Sequence, residues 1–233
     1  MSKEDAIKII DKIKGDGRVT LTEYESKNIL GAYDFPVTKE KLARDEEEAV
    51  NFAEEIGYPV VLKIVSPDIT HKTDVGGVKV NVKSPEEVKT AYNELMGIKD
   101  EIKDADIHGV LIQEMAPKGN EVILGMTQDP QFGPVLMFGL GGVFVEVLKD
   151  VSFRIPPLTR FDAEDMIKEI KAYPILEGVR GGVSSDLDAL VDCILKLSDL
   201  SVDLSDCIKE MDINPLFATE KGAVAVDSLV ILK

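Results

Sequence analysis

Residues 60–82 read VVLKIVSPDITHKTDVGGVKVNV. The apolar run 60–65 has the length and branched-residue content of a buried strand, and Val78, Val80 and Val82 alternate as a second strand. A polar loop, 66–77, joins them. One cation, Lys63, stands in the middle of the first strand. An unpaired buried charge costs several kcal/mol, so it must be paired, reach water or face a ligand. The anomaly recurs at Glu114 in VLIQEM, Glu146 in VFVEVL, Arg154 in VSFRIP and Asp227 in AVAVDSLVIL. For any one of these, strand alternation that turns the side chain to water is an equal account. For five in one chain, with both signs present, a shared polyphosphate–metal site is the more economical one.

Outward from this stretch the elements follow in irregular order. Ser2 caps a helix over 2–14 with Ala6, Ile9, Ile10 and Ile13 on its apolar face, ended by Gly15. A short helix at about 22–30 leads to the Phe35-Pro36 turn. Asp45 with Glu48 forms a capping box for a third helix, stopped by Gly57. Ser84 and Pro85 open a fourth, running to about Met96. Strands then dominate: GVLIQEMAP, EVILGMTQD, PVLMFGLGG, VFVEVL and VSFRIPPL. Helices at about 163–172 and 186–200 precede a closing hairpin, IKEMDINPLFAT and AVAVDSLVILK, with its turn at 220–222. Mixed elements without strict βαβ alternation favour an α+β fold. The chain divides into a smaller lobe at about 25–108 and a larger one at about 109–233, with 1–24 docked on the larger.

Asp212 and Asn214 lie two apart on one strand of the hairpin and so share a face, with Asp227 on the partner strand. Two carboxylates and an amide oxygen suit Mg²⁺, which completes its shell with water and phosphate; an ordinary solvated hairpin is the alternative. Gly76-Gly77 and the GLGG segment (139–142) could approach phosphates, although neither a GxxxxGK[ST] nor a GxGxxG motif occurs and Gly76-Gly77 reads equally as a mere turn. Lys63 and Lys79 beside the first pair strengthen an anion-binding reading. His71 sits among Thr70, Lys72, Thr73 and Asp74, outside any apolar face. It is either a surface residue or an imidazole nucleophile that carries phosphoryl. Cys193 and Cys207 form no CxxC pair or disulfide framework and read as small thiols in a reducing compartment.

A net charge of −16 over 233 residues counts against nucleic acid as a partner, since phosphate-backbone binding draws on clustered Lys and Arg. It leaves room for a nucleotide, which needs only a few placed cations. No apolar run approaches the length of a membrane span, and the charged amphipathic start is unlike a signal peptide, which points to the cytoplasm.

Three segments together, VVLKIVSPDITHKTDVGGVKVNV, VLIQEMAPKGNEVILG, and MDINPLFA with AVDSLVIL, resemble the beta subunit of ADP-forming acetyl-CoA synthetase. More distantly they resemble the amino-terminal part of the succinyl-CoA synthetase beta subunit. The resemblance covers nearly the whole chain. It implies an ATP-grasp fold whose two lobes clamp a nucleotide. It also implies Lys63 as a phosphate ligand, with Lys79 a further match, and Gln113, Glu114 and Met115 as the hinge beside adenine. Glu121 would lie near the ribose, Arg154 near the transferred phosphoryl, and Asn214 and Asp227 would bind Mg²⁺ with Asp212 close by.

The implied reaction is acetyl-CoA, ADP and phosphate giving acetate, CoA and ATP, with His71 ferrying phosphoryl to the nucleotide. No CoA-binding domain is visible, so the resemblance further implies an acetate–CoA ligase active only with a CoA-binding alpha subunit, in an α2β2 assembly. Two other readings stay open here. One is a different ATP-grasp ligase that activates a carboxylate; the other is a nucleotide-sensing module without catalysis.

Overall fold

The computed structural model describes residues 2–69, 72–102, 105–142, 148–179 and 184–233, with the backbone alone at 100 and 101. His71 and Glu146 lie outside the described residues. In chain order the helices are α1 (Lys3–Gly15), α2 (Glu23–Gly31), α3 (Glu46–Ile56), α4 (Pro85–Glu101), α5 (Arg160–Glu169), α6 (Tyr173–Leu176) and α7 (Leu187–Asp203). The strands are β1 (Glu40–Ala43), β2 (Val60–Val65), β3 (Val78–Val82), β4 (Gly109–Glu114) and β5 (Asn120–Asp129). They continue with β6 (Gly133–Leu140), β7 (Val151–Arg154), β8 (Ile208–Thr219), β9 (Gly222–Ala225) and β10 (Ser228–Leu232).

Local chemistry fixes the helix starts. Thr22 and Glu25 form a reciprocal capping box on α2, as Thr159 and Asp162 do on α5. Ser84 caps α4 with Pro85 in its first turn, and Asp186 caps α7 through the Ala189 N–H. The Asp45 carboxylate accepts from Glu48 N as expected. The Glu48 carboxylate, however, reaches back to Arg44 N rather than Asp45 N, so the box is open by one residue.

The chain forms two compact units, Thr38–Ala116 and Met1–Val37 with Pro117–Lys233. In the smaller, a four-stranded sheet of order β1-β4-β2-β3, antiparallel throughout, packs Val60, Leu62, Ile64, Val110 and Ile112 against apolar residues of α3 and α4. β4 is a central strand there, between β1 and β2. That pairing moves it out of the larger lobe, which the sequence opened at 109. Residues 25–37 belong with the larger unit.

In the larger unit a six-stranded antiparallel sheet has the order β10-β8-β5-β6-β7, with β9 also on β8. Val122, Leu124, Met126, Leu136, Met211 and Ile213 share its core with residues of α1, α2, α5 and α7. The closing hairpin is two strands deep on one side. AVAVDSLVILK breaks at 226–227 into β9 and β10, and both pair with the long β8. The reason lies in β8, where proline at 215 cannot donate to a ladder; Val226 N donates to Pro215 O at 3.0 Å instead. Among the described residues no helix is long and apolar enough to cross a membrane.

Candidate functional site

In the smaller unit the register of β2 decides which polar groups share a face. Val60, Leu62 and Ile64 join the core with α3 and α4, so alternation turns Val61, Lys63 and Val65 to the other face. Lys63 lies opposite Leu111, and Val61 opposite Gln113. Lys63 and Gln113 therefore share the face away from the helices. Both are buried, Lys63 at 6% exposure and Gln113 at 0%. This removes the water-facing account of Lys63.

Lys79 does not join it. Lys79 is paired with Leu62 and so stands on the helix side, where its Nζ meets the Glu94 carboxylate of α4 at 2.6 Å. The expected alternation of Val78, Val80 and Val82 also fails. The register shifts between Val60 and Leu62, Asn81 takes φ +60°, and Val80 is 65% exposed: a β-bulge.

Nor are the Gly76 and Gly77 amides a phosphate cradle. Gly76 N donates to Thr73 O at 3.2 Å and Gly77 N to Lys72 O at 2.7 Å, while the Gly77 carbonyl accepts from Ile64 N at 2.9 Å. A Cβ on Gly77 would stand 2.8 Å from Lys72 O and 2.7 Å from Ile64 Cγ2. Glycine is needed there for close packing of the loop on β2.

Glu114 closes β4. Its carboxylate accepts from Lys39 N at 2.8 Å, and its own N–H donates to Lys39 O at 2.9 Å. The side chain is thus a clamp on the chain entering β1, a role that sequence reasoning missed because the partner lies 75 residues away. Met115, next in the chain, is exposed.

The larger unit holds the acidic group. Met211 and Ile213 point into the core, which leaves Asp212 on the opposite face of β8. Gly125 of β5 lies beside it, and a Cβ at Gly125 would come 3.9 Å from Asp212 Oδ1. Asn214 N donates to Asp227 O at 3.2 Å, which ties the break between β9 and β10 to the stretch of β8 where its register with β5 shifts. The Asp212 carboxyl is pushed up to about 6 by its burial and by the Asp227 charge beside it, while a hydrogen bond with the Asn214 side chain works the other way. Asp212, Asn214 and Asp227 are therefore neighbours, as their spacing suggested.

This donor set fits Mg²⁺. Two close carboxylates repel each other in a half-buried place, and a divalent cation removes that cost. Among the described residues no group of three or more His, Cys, Asp or Glu is placed to hold a metal ion.

Arg154 is elsewhere. Across the sheet one row runs Asp212, Gly125, Met137, Phe153; the next runs Met211, Met126, Leu136, Arg154. Successive rows face opposite sides, so Arg154 shares the core side with Met211. Its guanidinium pairs there with Asp165 at 2.5 Å and Glu169 at 2.6 Å, both on α5. Glu121 is exposed at the start of β5, and its carbonyl accepts from Gly141 N at 2.7 Å, which brings the GLGG segment against it. Cys193 is buried, its thiol pushed up to about 12 by desolvation, and Cys207 is free.

The ATP-grasp domain family matches residues 12–232. The beta subunit of the ADP-forming acetate–CoA ligase II of Pyrococcus furiosus is 54% identical over 99% of both chains. The chain belongs to this ATP-grasp family of ligase beta subunits. Among solved structures it is 51% identical to the dinucleotide-forming acetyl-coenzyme A synthetase 1 of Ca. Korarchaeum cryptofilum in complex with coenzyme A, Ca-AMPCP and HgCl+. That likeness has a TM-score of 0.95 and covers 100% of both chains. Another structure of the same enzyme, with coenzyme A and Mg-AMPPCP, has its phosphohistidine segment pointing towards the nucleotide binding site. It matches at TM-score 0.88 and 49% identity, covering 98% of this chain and 100% of that one. The mixed helices and antiparallel sheets are thus those of an ATP-grasp ligase beta subunit.

Proposed function

We propose that this chain is the nucleotide half of an ADP-forming acetate–CoA ligase, receiving phosphoryl on His71 and passing it to ADP. The observation that carries the reading is the neighbouring group Asp212, Asn214 and Asp227, with the Asp212 carboxyl pushed up to about 6 by burial and by Asp227. Such a site is unfavourable alone and favourable with a cation. Mg²⁺ bound there supplies charge neutralisation at the phosphate oxygens. Lys63, buried at 6% exposure on its sheet face, is a fixed cation of the smaller unit suited to a phosphate group.

In the forward direction the His71 imidazole accepts phosphoryl made at the partner. A terminal oxygen of ADP then attacks that phosphorus, the N–P bond breaks, and the neutral imidazole is returned. The phosphohistidine segment of the Korarchaeum relative supports assigning the carrier to this loop. The acyl chemistry belongs to a CoA-binding alpha subunit, in an α2β2 assembly that mass measurement of the complex checks.

The test is labelling. With the alpha subunit, acetyl-CoA and labelled phosphate, an acid-labile, base-stable label appears on this chain and is discharged by ADP. His71→Ala takes no label and makes no ATP, yet binds Mg-ADP as the wild type does. Full turnover by that variant would overturn the carrier role.

A further inference from the structure

Leu148, just before β7, is 62% exposed. A lone exposed leucine is ordinary, but this one is the lip of a cavity. The cavity measures about 300 Å³ and is lined, among the described residues, by Leu148, Asp150, Lys171, Ala172, Pro174 and Ile175. None of the residues assigned above to nucleotide, phosphoryl or metal lines it. Its volume is at the small end of the range for ligand pockets. The turn that holds Leu148 out is costly. Lys149 takes φ +50°, which a residue with a Cβ seldom adopts, and Val151 N donates to Lys149 O at 3.1 Å.

The walls are fixed by contacts of their own. The Asp150 carboxylate accepts from Lys171 N at 2.8 Å and from Ala172 N at 2.7 Å, which pins the chain between α5 and α6 to the residue before β7. Pro174 stands in the first turn of α6 with its φ set by the ring. Leu176, which ends α6, is fully buried, and Ile175 packs on the core. A cavity held in this way gives up little freedom when a ligand enters. The lining also sorts ligands by charge. Leu148, Ala172, Pro174 and Ile175 suit an apolar body. Lys171 is exposed, and among the described residues its ammonium is in no ion pair. The Asp150 carboxylate on the same lining opposes a dianion such as phosphate.

We propose that this cavity is a binding site for a compact apolar monocarboxylate, with its hydrocarbon body between Leu148, Pro174 and Ile175 and its carboxylate at Lys171. Acetate has too small a body to fill the space. A branched or cyclic acid fills it and keeps its charge at the solvent side. The site needs only this chain, and neither the partner subunit nor His71.

The experiment titrates the full chain with cyclohexanecarboxylate and follows the backbone amide resonances of Lys171, Ala172 and Ile175 by NMR. They shift saturably with a Kd of about 1 mM. Cyclohexanecarboxamide has the same shape without the charge and binds at least about threefold more weakly, and inorganic phosphate shifts none of the three. Lys171→Met makes acid and amide bind alike. Leu148→Glu, at an exposed position, weakens the acid at least about tenfold and leaves Mg-ADP affinity within about twofold of wild type. No saturable shift up to about 50 mM acid, or equal affinity of the wild type for acid and amide, overturns the proposal. Unchanged acid binding in both variants puts the ligand elsewhere and overturns it too. If the acid does not bind and Leu148→Glu instead weakens association with the alpha subunit, the cavity takes an apolar side chain of that subunit and the proposal falls.

Discussion

At the scale of single residues, the carboxyl of Asp212 makes the sharpest demand. Its folded-state value is raised from the ordinary 3.8 to about 6, by burial first and then by Asp227. The folded protein therefore holds a proton that the unfolded chain has lost between those two values. The associated stability is fully present below pH 3.8 and disappears as pH rises through about 6. The difference corresponds to about 3 kcal/mol at neutral pH in metal-free protein. Asp212→Asn should accordingly be more stable than wild type at pH 7 without Mg²⁺, and equal to it near pH 4. It should also lose the stabilisation that Mg-ADP confers. Urea titrations at the two pH values check both statements, and a variant less stable at pH 7 would refute the account.

Lys63→Met asks the complementary question of the smaller unit. Replacing this buried cation by an apolar side chain of similar length should lower ADP affinity at least about tenfold in calorimetry. Both residues were legible in the sequence, Asp212 by its two-residue spacing from Asn214 on one strand and Lys63 as a charge set inside an apolar strand. Arg154 was marked by the same signal and lies on the core side of its sheet. A strand charge announces that a partner exists, and it does not say whether the partner is a ligand or, as here, Asp165 and Glu169.

Among the elements, β2 was read from the sequence with its observed bounds, since five apolar residues around a single lysine, followed by a polar loop, leave little choice. β3 was read as a strand but misread in detail. Its bulge depends on the register with β2, and a period-2 pattern in one strand contains no information about an extra residue relative to its neighbour. The consequence is functional, because register sends Lys79 to α4 and away from Lys63. Lys79→Ala should therefore change ADP affinity by no more than about twofold, while releasing Glu94 costs about 0–1 kcal/mol for a pair this exposed. A tenfold loss of affinity would return Lys79 to the phosphates and contradict the register. The hairpin at the C-terminus shows the same limit. AVAVDSLVILK reads as one strand until Pro215 in the opposite strand breaks the ladder at 226–227, beside the place where Asp227 is held.

On the scale of the whole molecule, the smaller unit is a single continuous stretch, 38–116, set between two parts of the larger one. The sequence placed its end at 108 because β4 begins a run of strands and periodicity does not tell which sheet a strand joins. Pairing does: β4 lies between β1 and β2, and its last residue grips Lys39 through both side chain and backbone. The two ends of the stretch are therefore held together within it, with Glu40 opposite Gln113. The stretch also has an apolar core of its own, built from β1–β4, α3 and α4 and including Leu62, Val88, Leu95 and Ile112. A segment with a sheet of its own, its own core and adjacent ends meets the conditions for autonomous folding. Residues 38–116 expressed alone should give a mixed α/β circular dichroism spectrum and one cooperative urea transition. Ending the stretch at 108 instead removes the central strand and should leave the chain unfolded. If both fragments behave alike, β4 is not what completes the unit.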